Sequence, residues 1–232
     1  MSAPVSYQCQ DSIATIVMDD GKVNVLSPAM LAALNGAFDR AAAERAVVVL
    51  TGRQGVLSAG FDLNVLRADG AEADSMLRAG FEFAARMLSF ATPVIVACNG
   101  HALAMGSFLL LCADFRIGTE GPYKIGANEV AIGLTMPLAA IEICRQRLLP
   151  AHFTRSVMCS EIYGPVDAWG AGFLDQVVTV DELQGTAQAT AQRYVKLDMA
   201  AHAATKLRAR EATLKAIRAG IEADAKLRMR RG

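Results

Sequence analysis

Two short stretches rich in small residues, each following an apolar run, carry the strongest chemical suggestion in this chain. They are Leu57-Ser58-Ala59-Gly60-Phe61-Asp62-Leu63 and Asn99-Gly100-His101-Ala102-Leu103-Ala104-Met105-Gly106-Ser107. Both read as loop-to-helix junctions. At a helix start the first N–H groups lack acceptors and the helix dipole favours negative charge, so two such ends brought together are able to share one oxygen anion. Small residues at a strand-to-helix turn also arise from close packing alone, and at this level that reading stays open. Several other chemistries lose support from missing motifs. There is no G-x-G-x-x-G after a strand, no G-x-x-x-x-G-K-[ST], no G-x-S-x-G and no H-E-x-x-H, which disfavours nucleotide cofactors, a hydrolytic serine and zinc. His101, His152 and His202 show no metal-ligand spacing, so no metal is expected.

The elements that must position these turns follow from periodicity. Val5–Cys9 and Ile13–Met18 are short, β-branched and separated by Gln10-Asp11-Ser12, which predicts a hairpin. Ser27-Pro28 gives an N-cap and a first-turn proline, and Leu31, Leu34, Phe38 and Ala41 continue at helical spacing. Ala46–Thr51 and Val94–Cys98 are continuous apolar runs, as expected of strands buried on both faces. Between them Met76, Gly80, Phe83, Met87 and Phe90 mark a helix that Thr92-Pro93 ends. Strand, helix, strand with crossovers of this length implies parallel pairing, so the fold class is α/β. Beyond Pro137 the pattern predicts helices over Leu138–Leu149, Ala151–Ser160, a short piece opening at Pro165, Asp181–Lys196 and a long one from about Met199, interrupted by a strand at Leu174–Val178. Leu207, Leu214, Ile217 and Ile221 are expected on one side of the last helix, and Arg67–Asp74, the least core-like stretch, reads as a loop.

Length and charge narrow the class further. A chain of 232 residues suits one sizeable core, here read as a single domain with residues 1–195 forming the core and 196–232 a helical extension of it. Lys plus Arg number 23 and Asp plus Glu number 23, so net charge gives no case for nucleic acid or an anionic membrane surface. No apolar run is long enough to span a bilayer, and the start, MSAPVSYQCQ, lacks a signal pattern. The five cysteines, an odd set without C-x-x-C, read as reduced thiols, and a cytoplasmic location is expected.

In order and spacing, Ser58-Ala59-Gly60-Phe61-Asp62-Leu63, then Pro93-Val94-Ile95-Val96-Ala97-Cys98-Asn99-Gly100-His101-Ala102, then Cys112-Ala113-Asp114 resemble the motifs of the crotonase (enoyl-CoA hydratase/isomerase) superfamily. The resemblance implies a crotonase-type spiral of ββα units with a C-terminal helical region, assembled as a homotrimer or dimer of trimers. It also implies an acyl-CoA thioester as substrate, with coenzyme A part of that substrate and no separate cofactor. By the same resemblance the thioester oxygen is held by the N–H groups of Phe61 and Met105. Lys22-Val23-Asn24-Val25-Leu26 corresponds to the segment running along adenine and pantetheine, with Lys22 either near a phosphate or simply a surface turn lysine. Ala59, Asp62, Leu63, Asn64, Gly106, Phe108 and Asn128 join Lys22, Val23 and Val25 as expected substrate-binding residues. Met105 departs from the family's usual glycine, so its side chain must turn away from the thioester or narrow the pocket.

The family's two catalytic carboxylates correspond to Phe108 and Glu129, so one carboxylate remains. That pattern resembles the Δ3,Δ2-enoyl-CoA isomerases of fatty acid metabolism, in which a single glutamate moves a proton from C2 to C4. An apolar pocket would raise that group's pKa and exclude water. An enoyl-CoA hydratase is the alternative and needs a further residue to hold water. A non-catalytic acyl-CoA-binding homologue is the second alternative. Both remain open here.

Overall fold

The computed structural model describes residues 3–68 and 70–229. Strands β1 (Val5–Gln10) and β2 (Ile13–Met18) form an antiparallel hairpin. Asp11 and Ser12 turn it with φ of 52° and 61°, matching a two-residue primed turn. After β3 (Val25–Leu26) comes α1 (Pro28–Ala43), whose start is capped by Ser27: its hydroxyl accepts the Met30 N–H at 3.2 Å. The chain continues through β4 (Val47–Thr51), β5 (Gly55–Ser58), β6 (Gly60–Phe61), α2 (Leu63–Ala68) and α3 (Ala71–Ser89). Next are β7 (Val94–Cys98), β8 (Gly100–Leu103) and α4 (Met105–Cys112), then β9 (Phe115–Thr119), β10 (Ile125–Gly126) and a 3-10 turn at Val130–Ile132. The remainder is α5 (Leu138–Arg145), α6 (Pro150–Cys159), α7 (Pro165–Ala171), β11 (Gln176–Val178), α8 (Leu183–Val195) and α9 (Met199–Met229).

Six strands pair in the order β1-β2-β4-β7-β9-β11, parallel from β2 onward. Two small parallel sheets accompany them, β10-β8-β5 and β3-β6. Four times a strand of the large sheet is followed by a strand of a small one and then a helix, which is the expected spiral of ββα units.

Because side chains alternate across a strand, the run Val47-Val48-Val49-Leu50 serves two layers. Val47 and Val49 pack with Ile95, Ala97 and Ile117 beneath Leu183, Ala187 and Ala191 of α8. Val48 and Leu50 face the main core with α1 and α3, where Phe38 meets Phe83 and Phe90 edge-on, both with centroids 5.0 Å apart. Each such aromatic pair contributes about 0.5–1.5 kcal/mol beyond its area burial.

Helix α9 packs against α3 and α5 and places Leu214, Ile217 and Ile221 in the main core. Near its start, Lys206 and Arg210 reach Asp114 at 2.6 and 3.0 Å in a buried ion cluster. Three expectations are corrected. Leu207 lies off the buried stripe and is 47% exposed, because the residues that meet the core recur from Leu214 onward. The stretch Arg67–Asp74 is not a loop: α2 runs to Ala68 and α3 starts at Ala71 with Ala73 fully buried, and Gly70, at φ +87°, separates the two helices. Asp69 in that stretch, and residues 1, 2 and 230–232 of the proposed core and extension, lie outside the described residues. The helix expected to reach Leu149 stops at Arg145, since Leu149 is extended ahead of Pro150. Among the described residues no helix is long and apolar enough to cross a membrane.

Candidate active site

The two expected donor turns meet through their glycines. Gly60 has φ +94°, open to glycine at little cost, and a Cβ built on it would lie 2.7 Å from the Ala104 Cβ and 3.2 Å from the Met105 nitrogen. From the other side, a Cβ on Gly106 would sit 2.4 Å from the Ser58 carbonyl oxygen. The turn before Phe61 and the start of α4 are therefore packed backbone against backbone. Met105 opens α4, where its N–H has no intrahelical acceptor. Phe61 lies on the two-residue strand β6 instead, so only one of the two expected donors begins a helix. Ser58 braces this junction: its hydroxyl donates to the Asn24 carbonyl at 2.7 Å and accepts the Gly60 N–H at 3.1 Å.

Asn24 holds the preceding loop in place. Fully buried and at φ +53°, it donates through Nδ2 to the carbonyls of Met18 at 2.9 Å and Leu57 at 3.1 Å, and its Oδ1 accepts the Asp20 N–H at 3.0 Å. Asp20 in turn accepts N–H bonds from Lys22, Asn24 and Val25 at 2.8–3.0 Å. Partial burial pushes its carboxyl up, but those donors outweigh it and hold it below the usual range. The loop so fixed leaves Lys22 and Val23 exposed at the rim, while the Val23 carbonyl accepts the Ala59 N–H at 3.0 Å.

Strand register brings the segment that leads to Glu129 alongside the start of α4. Parallel pairing sets Gly126 beside Leu103, and the Gly126 carbonyl accepts the Ala104 N–H at 3.0 Å, one residue before Met105. Three residues after Gly126, Glu129 starts the 3-10 turn; its carbonyl accepts the Ile132 and Leu134 N–H groups at 3.1 and 2.9 Å, and Ser160 Oγ accepts the Ala131 N–H at 3.1 Å. The Glu129 side chain is 7% exposed, and its Oε2 has no hydrogen-bond partner among the described residues. Burial pushes its pKa up to about 7, a shift its own backbone N–H opposes only in part. Among the described residues Asn128 Oδ1 is likewise buried without a hydrogen-bond partner.

The apolar lining comes from two helices and a strand. Phe108, one turn into α4, is buried and stacks on Phe81 of α3 at 6.4 Å; Phe81 meets Phe61 edge-on at 5.9 Å. The Met105 side chain is fully buried in the core and points away from solvent. Of the other expected residues, Asp62 caps α2 by accepting the Asn64 N–H at 2.9 Å, and Leu63 and Asn64 are exposed on that helix. Sequence reasoning missed Ser58 and Asn24 as braces and Phe81 as a lining residue. The Asn24 and Ser58 positions stood within the quoted motifs, whereas Phe81 is one more core aromatic in a helical pattern.

A family model for enoyl-CoA hydratase/isomerase proteins matches residues 8–230. The chain belongs to this family. A solved enoyl-CoA hydratase/isomerase family protein from Pseudomonas syringae is 48% identical, with a TM-score of 0.95 over 96% of this chain and 97% of its own. Human mitochondrial enoyl-CoA delta isomerase 1 is 28% identical over 78% of this chain, and a probable enoyl-CoA hydratase of Mycobacterium avium is 30% identical over 77%. The matched stretch spans 60% and 65% of those two curated relatives' own lengths. Members of the enoyl-CoA hydratase/isomerase family related to this chain thus carry both reaction names.

Proposed function

We propose that the protein converts a 3-enoyl-CoA to the 2-enoyl-CoA with Glu129 as the only proton carrier. The observation that carries this reading is one buried carboxylate, with an unpartnered oxygen and a pKa near 7, beside backbone turns that hold two amides together while Phe108 occupies the second carboxylate position. Glu129 takes the C2 proton, and the C–H electron pair moves through C1 onto the thioester oxygen, giving a dienolate. The N–H groups of Phe61 and Met105 donate hydrogen bonds to the oxygen that carries that developing charge. C4 then takes the proton back from Glu129, the double bond shifts from C3–C4 to C2–C3, and the carboxylate is regenerated. A carboxyl with a pKa near the working pH serves both halves of this transfer.

Coenzyme A is held, in this reading, along Lys22, Val23 and Val25. Exposed Val130, Ile132, Leu134 and Leu138 beside the site support assembly as a homotrimer or dimer of trimers. The hydratase alternative keeps one observation, the buried and unpartnered Asn128 Oδ1 next to Glu129, which offers a second acceptor for a water. Incubating the protein separately with 3-enoyl-CoA and 2-enoyl-CoA, with products followed by mass and absorbance, separates the two. Isomerisation gives 2-enoyl-CoA without added mass; hydration of 2-enoyl-CoA as fast as isomerisation of 3-enoyl-CoA refutes the proposal.

A further inference from the structure

Glycine in the middle of a helix is unfavourable, yet Gly80 sits buried inside the 19-residue α3. A Cβ built on it would lie 2.4 Å from both Cε1 and Cζ of Phe61 and 3.7 Å from Cε of Met105. The first distance is far inside carbon–carbon contact, about 3.5–4.0 Å, so the Phe61 ring occupies the space that any other residue at position 80 would fill. The side chains of Phe61 and Met105 come from different turns of the spiral, and both end at this one notch in α3. The ring has little freedom to retreat: Phe61 is buried and Phe81 meets it edge-on at 5.9 Å, itself backed by Phe108.

We propose that Gly80 is a positioning residue for the oxyanion hole, receiving the side chains of both donor residues so that their backbone N–H groups converge on the thioester oxygen. This rests on the reading of Phe61 and Met105 as donors. A backbone amide has no side-chain rotamer of its own with which to adjust. Its direction is set by the peptide and by where the attached side chain is anchored, so a displaced ring rotates the amide with it. A donor moved from its position loses part of the transition-state stabilisation, while contacts to the coenzyme A portion stay as they are.

The test is the variant Gly80→Ala, alone and in a Phe61→Leu background, where the shorter side chain leaves room for the new methyl. In the wild-type background kcat is expected to fall about 10-fold or more, short of the roughly 10²–10³-fold loss on removing a donor outright, with saturated acyl-CoA affinity kept. In the Phe61→Leu background the same substitution costs less. Should Gly80→Ala alone fail to fold, the pair still decides: an active double variant supports the notch, and a double variant that has lost the activity of Phe61→Leu overturns it. An idle glycine gives the opposite pattern, since alanine then raises thermal stability through helix propensity and leaves kcat unchanged. Infrared spectra of bound butanoyl-CoA carrying carbon-13 at the thioester carbon separate the two levels. A wild type with no carbonyl red shift removes the donor reading itself; a red shift that Gly80→Ala leaves intact removes only the role of Gly80.

Discussion

Replacing Glu129 with glutamine is expected to abolish turnover and to gain stability relative to the wild type as pH rises through the range from 4.5 to 7. The ordinary glutamate pKa of 4.5 is raised to about 7 in the folded chain, chiefly by burial. Below pH 4.5 the carboxyl is protonated in both folded and unfolded chains and contributes no difference. Between pH 4.5 and 7 the folded chain holds a proton that the unfolded chain has released, so stability falls as pH rises. The fall is about 1.4 kcal/mol per unit across the window, or about 3 kcal/mol in all. Glutamine does not titrate, so the variant escapes this loss. Its buried NH2 group carries its own penalty of about 1–3 kcal/mol, but that offset does not vary with pH and cancels from the comparison. Urea unfolding of wild type and Glu129→Gln at pH 4 and pH 8.5 measures the quantity needed. The stability difference between the two proteins should shift in favour of the variant by about 3 kcal/mol from the lower to the higher pH. A difference that stays constant across this range refutes the desolvated carboxylate on which the mechanism rests.

Further outcomes follow from the same geometry. Since Glu129 must be ionised to take the C2 proton, kcat/KM of the wild type should rise about tenfold per pH unit and level off above about 7; a flat profile between pH 5 and 9 contradicts this. Phe108→Glu restores the paired-carboxylate pattern and should yield detectable hydration of 2-enoyl-CoA, at a cost of about 3–5 kcal/mol from losing a buried phenyl and desolvating a charge, measurable by thermal unfolding. Asn24→Ala removes the side-chain donor to the Met18 and Leu57 carbonyls and puts alanine at φ +53°, so a destabilisation of about 3 kcal/mol is expected; under 1 kcal/mol would show that the loop has another anchor.

Much of the frame was legible because it rests on local rules. Ser27-Pro28 starts α1 as capping predicts, Thr92-Pro93 ends α3 within a few residues, and the runs at 47–51 and 94–98 are neighbouring parallel strands. What escaped depended on distant partners. Whether Phe61 sits on a helix or a strand is decided by its pairing beside Leu26, 35 positions away in the chain. Gly80 counted as one more point on an apolar stripe, because nothing in its own helix reveals that two side chains from elsewhere end there. Arg67–Asp74 looked like a loop from its polarity, yet the burial of Ala73 belongs to packing against other elements. Within the site, the resemblance located Glu129, but its 7% exposure and unpartnered oxygen came only from the assembled pocket.

The parallel ladder between β8 and β10 gives the site a division of labour with an evolutionary consequence. Under the proposed mechanism the charge-holding half is made of backbone, so residues 61 and 105 are constrained through the space their side chains fill against Gly80, a condition a methionine at 105 meets. The reacting half is a side chain mounted on a separate 3-10 turn, three residues beyond the last ladder bond. Under the proposed mechanism a single substitution at 108 or 129 would alter which bond is made or moved while the grip on the thioester stays the same. Insertion of a pair of residues before Gly126 would instead advance the turn by about 6.6 Å and shift Glu129 relative to the two donor turns. In this scaffold new chemistry is cheap by substitution and nearly closed by insertion or deletion, and relatives that differ in reaction should differ at those two positions while keeping the spacing between residues 103 and 129.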